Sequence, residues 1–393
     1  MDTTPFHICI ISQGYPSENN PYYTFVGQLC ETLSSINGVR ITVIVPLSIT
    51  KTIFRRHPYM PSYRVIYTNK GHQIEIYQPH FFSVGNFNIF GEKFNFVNFN
   101  KSIKKCCLKY RIKPHVFYGH FWKSGYSVYE LAKKKNIPLF IASGESEICI
   151  QHNLEDRSLK DFASYVKGVI CVSSKNKKES IEKCFVEASK CIVLPNAVDF
   201  SKFYLKDKKK LRKQKSIAEN DFIIIFVGGF IHRKGSNRVI QALNILNDVS
   251  IKSIFIGDHM GVKKNEPISD CVIFSGRVSH ENLIDYLNCA DVFVLPTLHE
   301  GCCNSILEAM ACGLPIISSN LDFNDDILSE EYSIRIDPLN IVQIADAISL
   351  LKKNEPLREK MSKAAVNAIK NFSIEDRANN ILDFIFERII ITK

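Results

Sequence analysis

Short apolar runs alternate along the chain with longer stretches in which apolar positions recur every three or four residues. "FHICIIS" (6–12), "RITVIVP" (40–46), "HVFYGH" (115–120), "IPLFIAS" (137–143) and "GVICVS" (168–173) make a first series. "FIIIFVG" (222–228), "IKSIFIG" (251–257), "CVIFSG" (271–276), "DVFVLP" (291–296) and "LPIISS" (314–319) make a second. These runs are rich in Val, Ile and Phe and lack polar alternation, so they read as strands buried on both faces, in parallel sheets covered by helices. The segments "YTFVGQLCETLSSI" (23–36), "YSVYELAKKKN" (126–136), "SNRVIQALNILN" (236–247) and "HENLIDYLNCA" (280–290) supply such helices. Two series predict two doubly wound α/β domains joined near "VLPNAVDFSKF" (193–203). The following "KDKKKLRKQK" (206–215) reads as a solvated helix or linker face. The last helical pattern, "FSIEDRANNILDFIFERI" (372–389), opens on a capping-type Ser373, and its apolar stripe fits either domain.

Composition narrows the class. A length of 393 residues with 45% apolar content suits a two- or three-domain globular protein. No run approaches the roughly 18 apolar residues of a membrane helix, and "MDTTPFHICIIS" lacks a signal peptide's basic start and cleavage site. Thirteen cysteines, an odd number with no CxxC spacing and mostly within or beside apolar runs, read as buried free thiols in a reducing, cytoplasmic compartment rather than a disulfide or zinc framework. The net charge of +10 lies in the first half: residues 1–200 hold 25 Lys and Arg against 15 Asp and Glu, and residues 201–393 hold 25 of each. A basic half attracts a phosphorylated acceptor or an anionic membrane surface, or serves solubility alone. No aromatic-and-basic RNA motif or zinc finger points to nucleic acid.

Ligands of open α/β sheets sit beyond the carboxyl ends of the strands, and three such places carry chemistry. In "VGGFIHRKGSNRVIQAL" (227–243), Gly228 and Gly229 permit close backbone approach, and Arg233 and Lys234 set a planar fork and a point charge beside helix-start amides. Together they form a seat for a diphosphate, with a plain turn as the competing reading. In "HEGCCNSILEAMACGLPII" (299–317), Glu300 and Glu308 bracket Gly301 and a helix start at Asn304 and Ser305. Two carboxylates so spaced suit the hydroxyls of one long polar molecule; a helix-dipole acid followed by an exposed helix acid fits the spacing equally. In "ISQGYPSENNPYYTFVGQL" (11–29), Gly14 follows a strand and is either a phosphate-approach or a turn glycine.

"EGCCNSILEAMACGLPII", with "VGGFIHRKG" and "VICVSS…CIVLPNAVDFSKF" upstream, resembles glycosyltransferase family 4: retaining enzymes with the two-domain GT-B fold. "QGYP" (13–16) and the terminal helix also fit, so the resemblance covers nearly the whole chain. It implies two Rossmann-like domains facing across a cleft: an acceptor-side domain over 1–198, a nucleotide-sugar domain over 199–372, and a helix over 373–393 crossing back to the first. It places Glu300 on the donor sugar, Glu308 on the ribose, and Arg233 and Lys234 on the diphosphate. Gly229, Gly301, Asn304 and Ser305 line the same site. Gly14 faces the diphosphate, and His120 in "YGHFWKSG" lies near the donor sugar and acceptor; a strand-end histidine satisfied by backbone is the plainer alternative. Arg277 and Val278 in "FSGRVSH" fall on the loop that reads the base.

Two stretches depart from the family. Cys302 and Cys303 stand where relatives carry Phe-Gly or proline; no base beyond His299 suggests catalysis by these thiols. "SGES" (143–146) replaces "HGSD", leaving Glu145 or Glu147 as substitutes on the acceptor side. The activity implied is a hexosyltransferase moving a sugar from a nucleotide-diphosphate sugar to a glycan or lipid-linked acceptor in surface polysaccharide or glycoconjugate synthesis. No DxD motif is present, so neither metal nor other cofactor is expected. The alternatives are a sugar-nucleotide epimerase or phosphorylase on the same scaffold, and a non-catalytic nucleotide-binding partner. "KSIKKCCLKYRIK" (101–113) suggests peripheral contact with an anionic membrane at its inner face, and also fits a simple amphipathic surface helix.

Overall fold

The computed structural model describes residues 4–17, 23–54, 60–84, 89–259, 267 and 269–390; residues 18–22 of the glycine-bearing loop after the first strand lie outside them. The chain forms two compact units, residues 1–194 with 374–393, and residues 195–373.

The first unit carries strands β1 (Phe6–Ile11), β2 (Val39–Ile44), β3 (Leu47–Ser48), β4 (Tyr63–Tyr67), β5 (Gln73–Tyr77), β6 (His80–Phe81), β7 (Val116–His120), β8 (Leu139–Ser143), β9 (Gly168–Cys171) and β10 (Cys191–Val193). Its helices are α1 (Thr24–Ser34), α2 (Ile49–Phe54), α3 (Ile89–Lys109), α4 (Trp122–Lys135), α5 (Asp156–Tyr165) and α6 (Ser174–Cys184). Eight strands form one sheet in the order β10-β9-β8-β7-β1-β2-β5-β4, parallel except for β4, which runs antiparallel to β5 at the edge. Alternate residues of β1 serve opposite layers: Ile8 and Ile10 pack beneath α1, Cys9 and Ile11 against α3 and α4. Burial on both faces is why the strand shows no polar alternation. β4 and β5 escaped the sequence reading because "YRVIY" is a half-exposed edge with Tyr67 71% accessible.

The amphipathic stretch over 101–113 falls largely in the latter part of α3, which ends at Lys109. It buries Ile103, Cys106 and Cys107 and exposes Lys101, Lys105 and Lys109. The terminal helix, here the last of the chain at Ile374–Ile390, belongs to this first unit, where Ala378, Ile381, Leu382 and Ile385 complete the layer begun by α1. Gly168 makes room for it: a Cβ there would lie 2.5 Å from the Phe384 ring.

The second unit contains α7 (Lys208–Gln214), β11 (Phe222–Val227), α8 (Ser236–Leu246), β12 (Ile251–Ile256), β13 (Val272–Gly276), α9 (His280–Cys289), β14 (Val292–Leu295), α10 (Asn304–Ala311), β15 (Ile316–Ser319), β16 (Ser333–Ile336), α11 (Ile341–Lys353) and α12 (Glu355–Ala368); the terminal helix is accordingly α13. The sheet runs β13-β12-β11-β14-β15-β16, all parallel. Entry and exit of this unit are stitched together by the Val198 N–H on the Phe372 carbonyl at 2.8 Å. The lysine run is α7, and it is only partly solvated. Arg212 is buried and donates to the carbonyls of Cys289, Glu219 and Asp221 and, at 2.7 Å, to Asp291 Oδ2. Among the described residues, no helix is long and apolar enough to cross a membrane. All thirteen cysteines are free and eleven are buried.

Candidate active site

Strand order locates the crevices. In the second sheet the winding reverses between β11 and β14, so the loops leaving those two strands lie side by side at the carboxyl edge. The β11 loop carries Gly228, Gly229, Arg233 and Lys234; the β14 loop carries Thr297, Glu300 and Gly301.

Local geometry makes the β11 loop rigid. Gly228 donates to the Ile256 carbonyl at 2.9 Å, Phe230 to that of Asp258 at 2.8 Å, and Lys234 to that of Ile231 at 3.0 Å. Gly235 enters α8 at φ 84°, and a Cβ there would fall 2.7 Å from the Pro296 carbonyl oxygen. The buried Arg238 guanidinium fastens both loops from beneath, donating to His232 O at 2.9 Å and Pro296 O at 2.7 Å. The Leu298 N–H closes the join on Arg233 O at 2.9 Å.

Arg233 and Lys234 then converge on Glu300. Arg233 Nη1 lies 2.7 Å and Lys234 Nζ 2.6 Å from Glu300 Oε1, the same oxygen that accepts the Thr297 hydroxyl at 2.9 Å. Arg233 also donates to the His299 carbonyl. Burial alone would push the Glu300 carboxyl up; the Lys234 and Arg233 cations and the hydrogen bonds overcome it and hold the carboxyl below the usual range. Burial pulls the Lys234 ammonium down, and Glu300 more than restores it. Glu300 and Lys234 are therefore both ionised near neutrality, and the one carboxylate is shared with the Arg233 guanidinium.

The start of α10 is braced separately. Asn196 Nδ2 donates to Cys302 O at 3.2 Å and to Asn304 Oδ1 at 2.7 Å, while the Ser305 hydroxyl reaches back to Val227 O at 3.2 Å. Cys302 and Cys303 are buried, and burial pushes the Cys303 thiol up. They act as small neutral fillers of the turn. One helical turn on, Glu308 Oε1 lies 2.9 Å from Nε2 of His280, the first residue of α9, whose ring meets Phe203 edge-on at 5.0 Å. Arg277 and Val278 follow β13, and Arg277 pairs with Asp258.

In the first unit the winding reverses between β1 and β7, which brings together the Gly14 loop and His120. A Cβ on Gly14 would overlap the Tyr23 ring at 2.2 Å, so packing already requires this glycine. His120 is buried beside the rings of Phe25 and Phe121, and its Nδ1 has no hydrogen-bond partner among the described residues. Burial, aided by the Arg377 charge from α13, pushes the imidazole down to about 3. Glu147, just after the "SGES" stretch, is exposed, whereas Glu145 within it turns inward onto the start of α4.

Thus Arg233, Lys234 and Glu300 meet directly, Glu308 is tied to a histidine, and Arg277 is paired with Asp258. Sequence reasoning missed Arg238, Gly235, Asn196 and His280; the glycine between the basic pair and α8 was the one signal available.

Two units built on largely parallel sheets give the chain a GT-B architecture. Residues 207–368 match the family described as "Glycosyl transferases group 1". The chain is 25% identical over 329 residues to TuaC of Bacillus subtilis (strain 168), named as a glycosyltransferase of teichuronic acid biosynthesis; the match covers 79% of this chain and 80% of TuaC. It is 27% identical over 234 residues to the UDP-Gal:alpha-D-GlcNAc-diphosphoundecaprenol alpha-1,3-galactosyltransferase of Escherichia coli, covering 56% of this chain and 60% of that one. Sucrose-phosphate synthase from Thermosynechococcus elongatus shares the fold with a TM-score of 0.78 at 18% identity, over 98% of this chain and 100% of that chain. Residues 207–368 thus form a group 1 glycosyltransferase domain, and the chain is a glycosyltransferase.

Proposed function

We propose that this glycosyltransferase moves a sugar, with retention of configuration, from a UDP- or GDP-sugar to a glycan or lipid-linked acceptor in surface polysaccharide or glycoconjugate synthesis. The observation that carries this reading is the convergence of Arg233 and Lys234 on Glu300 at the winding reversal of the second sheet. A nucleoside diphosphate leaves as a polyanion, and catalysis gains most from charges already fixed where that negative charge grows. The guanidinium, the ammonium and the α10 amides from Gly301 to Ser305 serve that purpose. Before the donor arrives, Glu300 holds the two cations in place; with donor bound it turns to the sugar hydroxyls as the diphosphate takes over the cations.

Glu308 is assigned to the ribose, Gly229 to close approach of the diphosphate, and Arg277 and Val278 to the base. Gly14 is assigned to the diphosphate and His120 to the sugar, the latter as a neutral imidazole. The named roles of the two relatives favour a lipid-linked or polymer acceptor, and the basic first half suits a peripheral encounter with an anionic membrane.

The test is release of nucleoside diphosphate from a panel of nucleotide sugars with polyprenyl-diphosphate-linked glycans. Arg233→Ala and Glu300→Gln should each remove nearly all turnover, and unchanged turnover in both rejects the site. Co-sedimentation with vesicles that ignores their anionic lipid content rejects membrane contact.

A further inference from the structure

Three features around the end of β7 oppose stability: two on adjacent residues and the third on the loop after the neighbouring strand β8. His120 is buried with Nδ1 unpartnered among the described residues. Phe121 holds φ 78° and ψ 154°, a region that only glycine occupies without strain. The third is a carboxylate, Glu145, turned inward at the loop after β8. Its Oε1 accepts the Trp122 N–H at 2.7 Å and its Oε2 accepts the Gly144 N–H at 3.0 Å. Costs concentrated in this way persist where a geometry is being held for use.

The clamp is specific. Phe121 donates to Ala142 O at 2.9 Å, and the next amide, Trp122, is taken by Glu145, so the strained residue is fixed from both sides. The indole of Trp122 donates to the Ser143 hydroxyl at 3.2 Å, while the Glu145 carbonyl accepts from Asn176 Nδ2 at 2.9 Å. Two ends of adjacent strands are thereby locked together one residue beyond the imidazole.

We propose that Glu145 is a positioning residue for the transfer reaction: its carboxylate, by clamping the Trp122 and Gly144 amides, forces the backbone turn at Phe121 that sets the His120 imidazole. This rests on the assignment of His120 to the sugar. Both oxygens accept from N–H groups, so any group that must present a hydrogen to one of them breaks half the clamp. Glutamine does so permanently, and protonated Glu145 does so reversibly. Burial pushes this carboxyl up to about 7, against the pull of hydrogen bonds from the Trp122, Glu145 and Gly144 amides and with a smaller push from Glu179 of α6.

The other groups facing it are the thiols of Cys149, Cys171 and Cys184. Burial raises the first and last, and the Cys191 thiol together with burial raises Cys171, so they stay protonated through neutral pH. His120 itself faces Arg377 and remains neutral.

The experiment uses the full chain with histidine labelled at the ring Cε1, its His120 signal assigned with His120→Ala. Between pH 5.5 and 8.5 the wild-type His120 resonance should step with a midpoint near 7, although His120 does not titrate, and Glu145→Gln should abolish the step. Turnover of UDP-glucose, UDP-galactose or GDP-mannose, whichever the enzyme uses, should fall at least tenfold in kcat for Glu145→Gln, with donor KM within threefold. A flat wild-type resonance, an identical step in Glu145→Gln, or wild-type kcat in Glu145→Gln beside an inactive His120→Ala overturns the proposal. Full activity of His120→Ala instead overturns the role of His120, while the resonance decides the clamp.

Discussion

Replacing Glu300 by glutamine removes one charge and almost no volume, and the structure fixes what should follow. Both cations lose their shared carboxylate. Lys234 is the more costly of the two, because its side chain is only 15% accessible against 34% for Arg233. Stripping one partner from a buried pair costs about 3–5 kcal/mol and from an exposed pair about 0–1. A lysine near the first limit with some relief from solvent, and an arginine nearer the second, give about 2–4 kcal/mol in all. For a unit of this size that lowers Tm by about 5–15 °C. The carboxyl is held below the 4.5 of an ordinary glutamate, so its contribution is present above that pH and is lost as pH falls through the folded value. The gap between wild type and variant should therefore narrow progressively as pH falls below 4.5.

Binding should move the other way. The trio carries a net charge of +1 in the wild type and +2 in the variant, so UDP or GDP should bind Glu300→Gln at least as tightly while transfer is lost. Scanning fluorimetry across pH and calorimetry with UDP and GDP check both halves. Equal stability of the two proteins, or loss of nucleotide binding in Glu300→Gln, would refute the counter-ion reasoning.

Other outcomes follow from the same geometry. His280→Ala should raise donor KM about tenfold with little change in kcat, since it releases Glu308 rather than the reacting centre; steady-state kinetics with varied donor checks this. Cys302→Ala and Cys303→Ala should each keep kcat within about threefold, measured by nucleoside diphosphate release, because the thiols are buried fillers. Glu145→Gln should gain stability relative to wild type as pH rises. The raised carboxyl favours folding fully only below 4.5 and loses that advantage as pH approaches 7, a swing of at most about 3 kcal/mol that Tm measured from pH 4.5 to 8 would register.

The pattern of apolar runs located the central strands of both sheets because a parallel strand must satisfy two layers at once, as Ile8 and Cys9 do on opposite faces of β1. It missed β4, β5 and β16, short strands at or next to a sheet edge with less such demand. The terminal helix had an apolar stripe that fitted either unit, and only the bare Cα of Gly168 opposite Phe384 shows which sheet receives it. In the lysine run, nothing local distinguishes Arg212 from its neighbours, since its partners Cys289 and Asp291 lie 77 and 79 residues away.

The site divided along the same line. Arg233, Lys234, Glu300 and Glu308 were legible because each sits in a short motif whose residue types suit charge and hydroxyl recognition. Arg238, Asn196 and His280 were not, because they work at separations of 58, 106 and 28 residues through hydrogen bonds that only the fold creates. Glu145 was visible as an acid in an altered motif, but its inward turn depends on amides supplied by another strand end.

The most direct test of the central claim is calorimetric binding of UDP and GDP to the wild type and to a protein carrying both Arg233→Ala and Lys234→Ala. Wild type should bind one of the two nucleotides with an affinity that falls as salt rises, and the double variant should bind it at least 100-fold more weakly while keeping its fold. Equal affinity in the two proteins would contradict a diphosphate seat at Arg233 and Lys234.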